Sequence, residues 1–137
     1  MTDQLDVTGA HDALEAFLVA SFRDRDYAAA AEATQITWLN VHTSDIPGAI
    51  ANAMRIVVPI DYEHIECTVL HTAKVFSEVM VDVAFVIVAS SEKWNFRYEG
   101  TARVIREEDY MKPSPDGLWG VNPASMARGQ RQMTPTR

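Results

Sequence analysis

Residues 79–90 read VMVDVAFVIVAS and residues 94–107 read WNFRYEGTARVIRE, with only Ser91-Glu92-Lys93 between them. The second stretch alternates strictly. Trp94, Phe96, Tyr98, Gly100, Ala102 and Val104 fall on one side, and Asn95, Arg97, Glu99, Thr101 and Arg103 on the other. A period of two is the signature of a strand with one face on a core and one in water. The first stretch is different: Val79, Val81, Val83, Phe85 and Ile87 share one side, while Met80, Ala84, Val86 and Val88 share the other around a single Asp82. Apolar residues on both faces mean that both faces are covered. Working outward, strands are expected at about 61–75, 79–90, 94–107 and 118–126. They are joined by Phe76-Ser77-Glu78, by residues 91–93 and by the Pro-Ser-Pro-Asp-Gly loop at 113–117. Connections this short between long strands give an antiparallel meander.

Upstream the period changes to that of a helix. Leu14, Phe17, Leu18 and Phe22 recur at helical spacing between Thr8, a plausible N-cap, and the charged break Arg23-Asp24-Arg25-Asp26. This predicts a first helix over about 10–23. Asp26 caps a second helix, 27–34, rich in alanine. Residues 35–42 alternate, with Ile36, Trp38, Asn40 and His42 on one side, and predict a short strand. Ser44 or Asp45 then caps a third helix, with Pro47 in its first turn and Ile46, Ile50, Ala53, Met54 and Val57 on its buried face. Pro59 ends it. Helices followed by an antiparallel sheet define an α+β domain.

The chain has 137 residues, 47% of them apolar, and a net charge of −7. That length is one domain with a core of its own. The last ten residues hold Arg128, Arg131 and Arg137 and no acid. A single domain over 1–127, followed by a basic polar tail over 128–137, is therefore expected. A surface so acidic repels phosphate backbones, which excludes nucleic acid as a partner. The single Cys67 forms no intramolecular disulfide, and no apolar run approaches the length of a membrane helix. Met1 to Thr8 is polar and lacks the pattern of an export signal, so a cytoplasmic location is expected. His64 and His71 stand seven residues apart on a strand and face opposite ways, so no metal site and no cofactor are expected. No serine-hydrolase elbow, phosphate loop or dinucleotide fingerprint occurs. Because a few helices cover only one side of the sheet, the second apolar face of 79–90 predicts a homodimer through the sheet.

The order of these pieces carries a resemblance. Ala16-Phe17-Leu18, then Arg25-Asp26-Tyr27-Ala28-Ala29-Ala30, then Pro47-Gly48-Ala49-Ile50, then Gly100-Thr101-Ala102-Arg103-Val104 and Asp116-Gly117-Leu118-Trp119-Gly120-Val121 follow one another as packing and turn features. Over residues 10–126 the chain resembles the nuclear transport factor 2-like superfamily, whose members include ketosteroid isomerase, SnoaL-type polyketide cyclases, limonene epoxide hydrolase and many non-enzymatic binding domains. The resemblance implies a cone in which a curved sheet wraps the N-terminal helices and leaves an apolar pocket at the open end.

In the isomerase branch a carboxylate base stands near the end of the second helix or first strand. The matching stretch here, Trp38-Leu39-Asn40-Val41-His42, has none before Asp45. The cyclase and epoxide hydrolase branches place an acid on a central strand, which implies Asp82 as the catalytic carboxylate. Its apolar flanks Met80 and Ala84 suit acid–base work near neutral pH. His42 is the expected proton-carrying partner, because imidazole is the side chain whose ordinary range lies near neutral pH. Tyr27, Trp38, Phe96 and Tyr98 are the aromatic set expected to line a pocket for a small apolar molecule, although the same residues can fill a core. Cys67, alternating with Ile65 and Val69, is a core residue. Two functions follow from this set: acid–base catalysis on an apolar substrate, or a non-catalytic ligand-binding or dimerisation domain.

Overall fold

The computed structural model describes residues 7–136. The polar start Met1–Asp6 and the terminal Arg137, both considered above, lie outside the described residues. Helix α1 (Thr8–Leu18) buries Ala10 together with Leu14, Phe17 and Leu18 of the expected stripe, whose fourth member, Phe22, is buried in the turn that follows. It continues into a single π-helical turn, Val19–Arg23. Helix α2 (Tyr27–Glu32) starts where Asp26 accepts the Ala29 N–H at 3.0 Å. Asp45 does the same for Gly48 at 3.0 Å and opens α4 (Ile46–Val57), which buries Ile50, Met54 and Val57. Each such cap contributes about 1 kcal/mol by satisfying a donor that the helix cannot.

The expected strand over 35–42 is instead a helix, α3 (Ile36–Val41). Just before it, Thr34 makes a one-residue parallel bridge to Val121. The cause is long-range. The Gln35 N–H donates to the Val121 carbonyl at 2.9 Å, which ends the extended segment, and Glu107 accepts from Thr37 in the first turn that follows. A carboxylate at a helix N-terminus outweighs a weak alternation in side-chain polarity.

The sheet is antiparallel and runs β1 (His64–Ser77), β2 (Met80–Ser90), β3 (Trp94–Asp109), with β4 (Lys112–Pro113), β5 (Leu118–Asn122) and β6 (Gln130–Pro135) all pairing with β3. β5 lies against Arg103–Glu107 and β6 against Trp94–Glu99. Between them stands a 3-10 turn, Pro123–Arg128. The strand expected to reach residue 126 therefore stops at Asn122, because Pro123 has no N–H for the ladder. The segment expected to be a basic tail is β6, a sixth strand. Its polar sequence hid it, because pairing is made by the backbone and its residues are largely exposed.

Register shifts in β1, between Val69 and Thr72, between Thr72 and Lys74 and between Val75 and Ser77, add twist. The sheet curls strongly into a half-barrel around the helices. The core lies inside that curl. Val81, Val83, Phe85 and Ile87 of β2, with Phe96, Tyr98, Ala102 and Val104 of β3, meet Phe17, Ile50, Met54 and Val57, all buried. Burying one such side chain contributes roughly 1.5–3 kcal/mol. The other face carries Arg97, Glu99 and Thr101 in water, as the alternation predicts. Among the described residues no helix is long and apolar enough to cross a membrane.

Candidate functional site

The odd-numbered residues of β2 fill the core, so Asp82 faces the outside of the curl. It is paired there with Arg103 of β3, its register partner: Nε donates to Oδ1 at 3.1 Å and Nη2 to Oδ2 at 3.4 Å. The Asp82 side chain is 18% exposed. His42 is elsewhere, at the end of α3. Its ring stacks on Trp38 with centroids 3.9 Å apart, and its Nδ1 lies 2.8 Å from the Trp38 carbonyl. A carbonyl only accepts, so Nδ1 carries the proton in that contact. Asp82 and His42 thus bond to different partners on different elements, and the structure does not bring them together.

The aromatic set is divided in the same way. Phe96 and Tyr98 are packed in the core, Tyr98 stacked on Phe85 at 5.9 Å. The Tyr98 hydroxyl donates to the Met126 carbonyl and accepts the Gly129 N–H at 2.7 Å, which ties the 3-10 turn and the start of β6 to β3. Trp38 is buried under His42. Of the four, Tyr27 lines a cleft.

That cleft lies where the π-helical turn, the start of α2, the end of α4 and residues 58–62 meet. It holds about 170 Å³ and is lined by Phe22, Arg25, Tyr27, Met54, Arg55 and Tyr62, with Asp61 at its edge. Its walls are fixed by an unusual backbone. Arg25 has φ 52°, the left-handed region that a non-glycine residue adopts at a cost of about 1 kcal/mol or more. That conformation lets its guanidinium donate to the Tyr62 carbonyl at 3.0 Å and lie 4.4 Å over the Tyr62 ring. The Tyr62 hydroxyl in turn donates to the Phe22 carbonyl at 2.8 Å. Burial raises the Tyr62 pKa above its ordinary 10.0, and the nearby Arg25 only partly opposes this, so the phenol stays a donor. Arg55 has no hydrogen-bond or ion-pair partner among the described residues. A wider cleft of about 450 Å³ shares Pro59–Tyr62 and is closed by Ser91–Trp94.

Arg25, Arg55 and Tyr62 were not singled out from the sequence. A signal existed for one of them: Arg55, in the last turn of α4, is the only charged residue between Ile46 and Ile60. Cys67 is half-buried and its thiol is pushed up to about 12 by burial, so it stays protonated and poorly nucleophilic. Among the described residues no three His, Cys, Asp or Glu side chains cluster as metal ligands.

Comparison with protein-family models, with curated proteins and with solved structures found no match to this chain.

Proposed function

We propose that this chain is a non-catalytic, cytoplasmic binding domain with the nuclear transport factor 2-like cone architecture, which pairs with a second copy through the outer face of its sheet and holds a small, largely apolar molecule at the rim cleft. The observation that carries the reading is the direction of Asp82. The carboxylate expected to do acid–base work points out of the curl to Arg103, while Phe85, Phe96 and Tyr98 fill the inside. The buried polar residues, Ser21, Thr34, Gln35, Glu107 and Ser114 among those described, include one ionisable group, and Glu107 is committed to Thr37. The rim cleft offers Phe22 and Met54, the Tyr27 ring, and the unpaired guanidinium of Arg55. That combination suits a molecule with an apolar body and one acidic group.

The dimer is supported by the outer face itself. Val88 is 41% exposed and Leu70 47% exposed, with Val86 beside them on the same face. In register with Val88 stand Glu66 on one neighbouring strand and Arg97 on the other. An acid, an apolar residue and a base in one row are self-complementary. A two-fold axis through Val88 sets Glu66 of each copy opposite Arg97 of the other.

Titration with 8-anilinonaphthalene-1-sulfonate, an apolar ring system bearing one anionic group, tests the rim cleft. One saturable site per chain, weakened severalfold by Arg55→Gln and by Tyr27→Ala, is the expected result. Binding unchanged in both variants contradicts the assignment.

A further inference from the structure

On the outer side of the sheet four residues lie in register across four strands: Lys74, Asp82, Arg103 and Asn122. Beside them is a cleft of about 260 Å³ lined by Asp82, Thr101, Arg103, Asn122, Ser125 and Arg128. We propose that this cleft is a binding site for a small oxyanion, a carboxylate or a phosphate, with Arg103 and Arg128 as its ligating cations and Asp82 as the residue that positions Arg103.

Arg103 is held on two sides. Asp82 takes the Nε edge of its guanidinium, and the Phe76 ring lies 4.4 Å beneath its plane. A guanidinium offers five N–H groups. Asp82 uses two of them, which leaves both Nη1 hydrogens and one on Nη2 pointing away from the pair. A planar donor fork fixed in this way loses little freedom on meeting an oxyanion, which it matches with two parallel bonds. The second cation is carried by a turn that is itself pinned. The Arg103 N–H donates to Ser125 Oγ at 2.8 Å, and that hydroxyl donates to the Asn122 carbonyl at 2.6 Å. Asn122 Oδ1 accepts the Ala124 N–H at 3.1 Å, which leaves its amide nitrogen as a free donor. Arg128, at the end of this turn, has no hydrogen-bond or ion-pair partner among the described residues.

The charge balance decides what the cleft accepts. Two guanidiniums outweigh one carboxylate. This is a local positive site on a chain whose net charge is −7. A cation gains nothing there; an oxyanion gains two charge-assisted contacts and the neutral donors of Thr101 and Asn122. A cleft of about 260 Å³ suits a small oxyanion. Val88 lies six residues along β2 from Asp82, about 20 Å at strand rise, so a dimer centred on Val88 leaves the cleft room.

The test is an NMR titration of the full chain, following the arginine Nε–H signals, with sodium phosphate in one arm and sodium succinate in the other, at constant ionic strength against chloride. The expected result is saturable shifts of the Arg103 and Arg128 signals in at least one arm, the arm identifying the ligand chemistry. Arg128→Ala weakens that binding roughly fivefold or more, and Arg128→Lys restores part of it. Asp82→Asn also weakens it, and it moves the Arg103 Nε–H signal in the absence of anion, which a purely structural loss of stability does not do. Arg128 is exposed, so its variants carry the test even if Asp82→Asn fails to fold. Arg55→Gln at the rim leaves the titration unchanged. Shifts that never saturate in either arm, or saturable binding indifferent to Arg128→Ala, overturn the proposal.

Discussion

Glu107 accepts two hydrogen bonds from Thr37, the backbone N–H at 3.1 Å and the hydroxyl at 2.6 Å. The carboxylate is 2% exposed and comes from near the end of β3, seventy residues away. The same hydroxyl accepts the Met111 N–H at 3.0 Å, so one side chain joins α3, β3 and the β3–β4 turn. Glu107→Ala removes both acceptors and leaves the first turn of α3 uncapped in a dry setting. A loss of about 2–3 kcal/mol in urea unfolding is expected, with Glu107→Gln losing less because it keeps one acceptor. Equal stability of the alanine variant and the parent contradicts this role.

Tyr98→Phe deletes one oxygen and strands two backbone groups, the Met126 carbonyl and the Gly129 N–H. Apolar volume is nearly unchanged, so any loss reports the hydrogen bonds. The expected cost is about 1–3 kcal/mol, measured by denaturant unfolding with an unaltered slope.

Truncation after Arg128 removes β6 and exposes the edge of β3 from Trp94 to Glu99. Each ladder bond contributes about 1 kcal/mol net, so a loss on the order of 3–5 kcal/mol is expected, together with aggregation through the bared edge. A truncated chain with the parent's melting temperature shows that residues 129–137 behave as a tail after all.

The Cys67 thiol is held at about 12 against an ordinary 9.0 by burial. Between those values the folded chain binds more protons than the unfolded chain, so stability falls as pH rises through this window. At pH 8 the folded protein should react slowly with a thiol-specific disulfide reagent and quickly once denatured. Cys67→Ala should remove part of the alkaline loss. Rapid reaction of the folded protein at pH 8 contradicts the burial argument.

How much of this was legible in advance depended on the range of the forces involved. β2 and β3 were readable because their alternation is local and strict, and the Asp26 and Asp45 caps because each bonds only three residues ahead. The direction of Asp82 was implicit in the same alternation: once Val81, Val83, Phe85 and Ile87 must meet the helices, Asp82 has to face away. Helix α3 was not legible, since its cap arrives from Glu107 and its exit from the sheet is set by Val121. β6 was hidden because the backbone makes its contacts. The rim cleft depends on a left-handed Arg25 that the sequence Asp24-Arg25-Asp26 does not announce.

Pairing of the domain through Val88 is read directly by native mass spectrometry at micromolar concentration. A paired domain gives a species of twice 15.3 kDa that Val88→Asp splits into single chains. A clean monomer of 15.3 kDa in the parent protein contradicts it.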